Sequence, residues 1–127
     1  MKIVREQLYE KFKETSDPIK DMGIGMKKIW RKQAKSFLNN MYGNVGRIGA
    51  VYFGNKNHEG YAYILYGFFK KILEDEEDPQ DAFYKSCENE NFYGDRPDIV
   101  KERKMIADVI KKRFNIDVDP IDSRFSK

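Results

Sequence analysis

The side chains best able to do chemistry stand apart from one another in this sequence of 127 residues. The only histidine, His58, lies in the polar stretch 57–59, and one imidazole alone builds neither a histidine-based metal site nor a nucleophile–histidine relay. The only cysteine, Cys87, falls on the apolar side of a predicted helix, where a buried thiol is more common than a reactive one. Carboxylate pairs such as Asp117 with Asp119 have no further ligand at a suitable spacing. We therefore predict no catalytic residue, no metal site and no cofactor, although spacing alone leaves a carboxylate-based hydrolase open.

The strongest functional signal is a basic stripe on one predicted helix. The segment from Met26 to Met41 contains five cations and no acidic residue, and the cations recur at three and four positions. Such a stripe can follow a phosphate backbone, and Arg47 nearby can add a further contact. A solvated helix face is the alternative. The candidate contact residues for a partner or nucleic acid are Lys27, Lys28, Arg31, Lys32, Lys35 and Arg47.

Acidic residues collect in a second run. Most runs of this kind are solvated surface, and a docking surface for a basic partner is the alternative. The net charge is only +3, so no strong overall field directs the chain to nucleic acid, and any such binding must come from local clusters. The candidate acidic docking residues are Glu74, Asp75, Glu76, Glu77 and Asp78.

Two glycines precede the basic stripe in the segment Met22–Gly25. Backbone amides at a helix N-terminus can receive phosphate, but the third glycine and the lysine followed by Ser or Thr of phosphate-binding loops are missing. We expect a tight turn here instead.

The elements that position these residues are predicted from hydrophobic spacing. We expect a mainly α fold, one compact domain over residues 1–127 with about four to five helices. Residues 1–25 are predicted as a helix–turn motif, with the helix ending near Thr15, and residues 115–127 as an extended or frayed tail. The other predicted helices are 26–41, 61–73, 79–87 and 97–113, which bury, among others, Ala82, Phe83, Cys87, Ile99, Val100, Ile106, Ala107 and Ile110.

The segment between Gly43 and Tyr66 allows two structures. Residues 48–53 fit a short strand or an irregular packed loop equally well. Residues 61–73 favour a buried central helix, because their apolar side chains repeat at three and four. The alternative is an α+β fold in which residues 48–66 form a short two-stranded hairpin.

Residues 8–25 carry a recognisable motif, Glu-Lys-Phe followed by Ser-Asp-Pro-Ile and Asp-Met-Gly-Ile-Gly. This segment resembles an N-terminal motif that recurs in small uncharacterised tailed-bacteriophage proteins, where it precedes unrelated downstream segments. The resemblance implies a phage origin and a shared docking or targeting tag. It assigns no catalytic role to any residue.

Compartment and membrane association follow from simpler observations. A single cysteine is typical of a reducing compartment, and residues 1–6 lack the apolar stretch of a signal peptide. The longest apolar stretch, residues 61–69, is shorter than the roughly 20 residues that a spanning helix needs. We therefore expect a soluble protein in the host cytoplasm, with no membrane contact.

These observations favour a phage accessory protein that binds an unidentified protein partner and inhibits or modulates a host or defence protein. One alternative is a nucleic-acid-binding protein that uses the basic helix 26–42, extended by Arg103, Lys104, Lys111 and Lys112. The other alternative is a minor virion component. Homo-oligomerisation through Tyr61, Tyr63 and Tyr66 is a further expectation, because aromatic side chains that exceed one small core tend to be covered at an interface.

Overall fold

Five α-helices and one short 3-10 helix form the described part of the chain, which in this computed structural model comprises residues 18–41, 44–54 and 59–126. This unit is mainly helical and compact, as the sequence predicts, and the described residues include no strand. The predicted helix that ends near Thr15 lies outside these residues. In chain order the helices are α1 (Pro18–Met41), α2 (Val45–Phe53), α3 (Glu59–Glu74), α4 (Pro79–Asn89) and α5 (Pro97–Phe114), followed by the 3-10 helix Ser123–Ser126.

Helix α3 is the centre of the fold, and α1, α2 and α4 all pack against it. Its apolar side chains repeat at three and four positions, so they form one broad apolar side that the neighbouring helices cover, while Tyr63 and Lys70 lie on the exposed side. This arrangement confirms the central helix predicted for residues 61–73 and excludes the hairpin. Its fully buried side chains include Ile64, Leu65, Phe68, Phe69 and Ile72.

Helix α2 corrects the prediction of a strand or an irregular loop at residues 48–53. The side chain of Asn44 caps the helix by accepting from the Arg47 amide at 3.1 Å. Ile48 is fully buried, and Tyr52, one turn later, is half-buried against the same core. Packing of Ile48 and Tyr52 outweighs the low helix propensity of the glycines in the segment, each of which destabilises a helix by about 1 kcal/mol relative to alanine.

Helix α1 begins earlier than predicted. The segment Met22–Gly25, predicted as a tight turn, is helical, and Pro18 is the first helical residue, a position that proline favours. The glycines therefore do not form an anion-receiving helix N-terminus. Burial of Phe37 and Met41 in the core anchors the helix, and its two glycines weaken it by only about 1 kcal/mol each.

Helices α4 and α5 occur where the sequence predicts them. Both begin at a proline, and α4 buries Ala82, Phe83 and Cys87 as expected. Helix α5 buries Ile106, Ala107 and Ile110, whereas Ile99 and Val100, predicted as buried, are only half-buried.

The C-terminal segment, predicted as an extended or frayed tail, has no helix before Ser123 but is packed against the rest of the fold. Residues 115–126, named here the C-terminal strap, are not frayed but fold back over α4 and α5. Asn115 adopts a left-handed φ of 57° and ends α5 by donating its amide to the Lys111 carbonyl at 2.9 Å. Ile116 and Phe125 are then buried in the core. None of the helices in the described ranges is both long enough and apolar enough to span a bilayer.

Candidate functional site

The five cations of residues 26–41 lie on one side of α1, here called the basic face. At about 100° per residue they fall within an arc of about 140°. The opposite side carries Ala34, Phe37 and Met41 into the core, so packing against α3 turns the cations outward. Arg31 is half-exposed and the other four are exposed; the basic face consists of Lys27, Lys28, Arg31, Lys32 and Lys35.

Arg47 is exposed in the first turn of α2. Its backbone amide is held by the Asn44 cap. Among the described residues, its guanidinium makes no contact that joins it to the basic face. The structure therefore leaves it as a separate exposed cation.

The predicted acidic docking residues, here called the acidic turn (residues 74–78), comprise Glu74 at the end of α3 and the connection from α3 to α4. Glu76 adopts a left-handed φ of 53°, which is uncommon for a residue other than glycine. Its carboxylate Oε1 lies 2.7 Å from Nη1 of Arg31, although the two residues are 45 positions apart in sequence. The basic face and the acidic turn are therefore adjacent, and together they form one bipolar surface.

Glu77 differs from its neighbours in the acidic turn. Its side chain is only 15% exposed, one carboxylate oxygen accepts from Lys85, and the other oxygen is buried with no hydrogen-bond partner in the described part of the chain. The hydrogen bond to Glu77 raises the pKa of Lys85. Glu77 therefore fixes the turn onto α4.

Three carboxylates of the acidic turn remain accessible on its surface. Glu74, Asp75 and Asp78 are exposed, and none of them has an ion-pair partner among the described residues. Asp78 precedes the first residue of α4, but its side chain makes no capping hydrogen bond. These groups are free to meet external cations.

Arg103, predicted as an extension of the nucleic-acid surface, is instead a core residue with 1% exposure. Its Nε donates to the Pro120 carbonyl at 2.8 Å. Its Nη1 donates to the carbonyls of Gly94 at 2.7 Å and Phe92 at 3.3 Å. The guanidinium also lies 4.0 Å from the ring centroid of Phe125. Arg103 therefore joins the α4–α5 connection to the C-terminal strap and is unavailable to phosphate.

A sequence signal for this role did exist. Arg103 lies four residues after Ile99, three before Ile106 and four before Ala107, so the helical period that predicts the buried side of α5 includes it. Its charge suggested a surface position, whereas its register indicated the core. Register was the better guide, because a buried guanidinium is tolerated where fixed carbonyls satisfy its donors.

The other proposed extensions of the basic surface are exposed but partly neutralised. Nζ of Lys111 lies 3.2 Å from Oδ1 of Asp117, and Nζ of Lys112 lies 3.0 Å from Oδ2 of Asp108. Lys104 is exposed as predicted. Two of these three lysines are therefore partly neutralised by neighbouring carboxylates.

Of the two chemically reactive candidates, Cys87 lies within the described residues. Cys87 is fully buried, and burial raises the pKa of its thiol to about 12, so it behaves as a small apolar core residue. His58 lies outside the described residues. Within the described ranges, no three His, Cys, Asp or Glu side chains are grouped to hold a metal ion.

The tyrosines proposed for self-association do not form one exposed patch. Tyr61 is buried against the rings of Phe53 and Phe92, with centroid distances of 5.4 and 5.7 Å. Tyr63 is exposed and Tyr66 is half-buried. Only part of that predicted surface is available to a partner.

Comparison with protein families, with curated proteins and with solved structures finds no match for this chain. Its own charges and contacts are therefore the basis for an assignment, and in the described part of the chain the bipolar surface brings accessible side chains of both signs together.

Proposed function

We propose that this protein acts by binding a partner protein in the infected cell, as a phage accessory protein that inhibits or modulates a host or defence protein. The observation that carries the proposal is the contact of Arg31 with Glu76, which makes the basic face and the acidic turn one surface. Charges of both signs at fixed positions can select a protein surface with the reverse pattern, and they speed encounter with it.

The acidic turn favours a protein over nucleic acid. A phosphate backbone that followed the whole basic face would pass the Glu76 carboxylate bound to Arg31, as well as the exposed Asp75. The phosphates would be repelled by these carboxylates, and a nucleic acid has no cations of its own to pair with the acidic turn. A protein partner can instead present acidic groups to the lysines and basic groups to the turn.

The phage assignment is supported by the motif at residues 8–25, which resembles segments of small tailed-bacteriophage proteins. A short chain without a catalytic constellation in its sequence fits an accessory role in which the fold mainly displays a surface.

Nucleic-acid binding is the second candidate, and one observation favours it. Lys35, Lys28 and Lys32 form a row on the side of the arc away from Lys27, at about 40, 60 and 100° from Arg31, and the helix contains no acidic residue after Asp21. This row alone can contact consecutive phosphates. Its affinity would fall steeply with salt, as phosphate contacts require.

Affinity purification of the tagged chain from infected cells, split into nuclease-treated and untreated halves, separates the candidates. We expect the same specific protein in both halves. If material is recovered only from the untreated half, the partner is nucleic acid and the proposal is wrong. Recovery of no specific protein from either half would contradict it as well.

A further inference from the structure

We infer that the bipolar surface also docks against a second copy of this chain, with the basic face of each copy on the acidic turn of the other. This inference goes beyond the proposed function and does not depend on it.

The first argument is charge complementarity within one surface. Within the described residues, the ion pair of Arg31 with Glu76 links the basic face to the acidic turn. Lys27, Lys32 and Lys35 have no ion-pair partner in the described part of the chain, and the same holds for the three exposed carboxylates Glu74, Asp75 and Asp78. The surface thus has three accessible cations beside three accessible anions that it does not pair itself.

The second argument is that the pairing chemistry already occurs in this structure. The guanidinium of Arg31 meets the Glu76 carboxylate at 2.7 Å while both side chains stay open to solvent, at 42% and 76% exposure. A carboxylate from a second chain can approach the neighbouring lysines from the solvent side without moving either helix.

The third argument is symmetry. Two identical chains associate through one self-complementary patch when a two-fold axis makes each contact occur twice. A surface of one sign would repel its own copy, whereas adjacent blocks of opposite sign attract it when one copy is turned by half a revolution. An axis near the Arg31 and Glu76 contact brings each basic face to the other acidic turn.

Sedimentation equilibrium of the full chain tests this inference directly. We expect a monomer–dimer equilibrium at about 50 mM salt whose dissociation constant rises at least about tenfold at about 500 mM, because screening weakens exposed charge pairs. A chain that stays monomeric at low salt overturns the inference and leaves the search for a host partner unaffected.

Charge exchange makes the test specific for the two halves of the surface. A basic-reversed variant carries Lys27→Glu, Lys32→Glu and Lys35→Glu. An acid-reversed variant carries Glu74→Lys, Asp75→Lys and Asp78→Lys. Each alone should lose the dimer, because the net charge of the changed half then has the same sign as the unchanged half. An equimolar mixture should restore a heterodimer in which one contact has its charges reversed and the other has the wild-type charges.

A matched control separates this pairing from general attraction between oppositely charged chains. The variant Lys101→Glu, Lys104→Glu and Lys111→Glu changes net charge as much as the basic-reversed variant, but at exposed positions of α5. It should keep its own dimer. Urea unfolding of each variant verifies that it is folded. Dimers that persist in both reversed variants, or that are lost equally in the α5 control, overturn the inference.

Discussion

Two regions of this molecule use arginine in opposite ways. On the bipolar surface, Arg31 donates to one acceptor, the carboxylate of Glu76, and both side chains remain exposed. At the C-terminal strap, Arg103 is buried, donates to three backbone carbonyls and stacks on Phe125. An exposed pair contributes about 0–1 kcal/mol, whereas removal of a buried donor leaves each carbonyl that it bonded without this partner, at about 1–3 kcal/mol for each. Arg103 therefore contributes more to stability than Arg31, and the bipolar surface is available for binding.

The strap is also fastened from α4, through hydrogen bonds that a frayed tail would not make. Gln80 accepts from the Asp119 amide at 2.7 Å and donates to the Asp119 carbonyl at 3.0 Å. Arg124 lies 2.9 Å from both Asp81 and Asp122, which raises its pKa. The Gln80 hydrogen bonds and the pair of Arg124 with Asp81 join α4 to the same short segment, so loss of one anchor should weaken the others.

The largest effect is expected for Arg103→Met, which keeps the apolar volume but removes every donor. The carbonyls of Phe92, Gly94 and Pro120 are then left without this partner, and we expect the free energy of unfolding to fall by about 4 kcal/mol. Urea unfolding measures the change. The control Lys104→Met, at the adjacent exposed position, should stay within about 0.5 kcal/mol, and equal effects at the two positions would contradict the contrast.

The next effect is expected for Phe125→Ala in the strap. This side chain is 1% exposed and packs on Arg103 and on the rings of Phe83 and Tyr84, so the cavity should lower the free energy of unfolding by about 3 kcal/mol. Ile121→Ala, four residues earlier and 58% exposed, is the matched control and should change it by less than about 0.5 kcal/mol. A small effect at Phe125 would show that the strap is not part of the core.

The hydrophobic spacing of the sequence predicted some of the helices and missed another. Spacing at three and four identified α3, α4 and α5, because burial of one continuous apolar side was enough to define them. It missed α2, where packing of Ile48 and the Asn44 cap outweigh glycines that indicated a loop.

The contacts of the strap and of the bipolar surface could not be predicted from the sequence for a different reason. Nothing in the sequence joins Arg31 to Glu76 or Gln80 to Asp119, because such pairs depend on how helices pack in three dimensions. The charged residues of the candidate surface could be predicted as two separate runs. Their adjacency could not.

A smaller effect on the free energy of unfolding is expected at low pH. The hydrogen bonds from Arg124 lower the pKa of Asp122 from 3.8 to about 2, so the folded state keeps this carboxylate charged where the unfolded chain protonates it. Its contribution is complete above about pH 4 and is lost as the pH falls toward 2; we expect on the order of 1 kcal/mol after solvent screening. Urea unfolding across this range should show a shallower pH dependence for Asp122→Asn. Identical slopes for both proteins would contradict the assigned cause.

The smallest effect is expected on the bipolar surface itself. Glu76→Gly removes the exposed pair but relieves the positive φ, so the free energy of unfolding should change little or rise slightly. Glu76→Ala removes the pair and keeps the strained backbone, and should be less stable than Glu76→Gly by about 1 kcal/mol. Urea midpoints of the two variants provide the measurement. An Ala variant as stable as the Gly variant would mean that this backbone conformation is unstrained.

The central claim is that the bipolar surface binds a partner protein while the strap maintains the fold. Affinity purification from nuclease-treated lysates of infected cells tests it most directly, with the wild-type chain compared to the variant Lys27→Glu, Arg31→Glu and Lys35→Glu. The account predicts that the wild-type chain retains a specific protein that the variant loses, while the urea midpoints of the two agree. Recovery of the same protein in equal amount by the variant would contradict it.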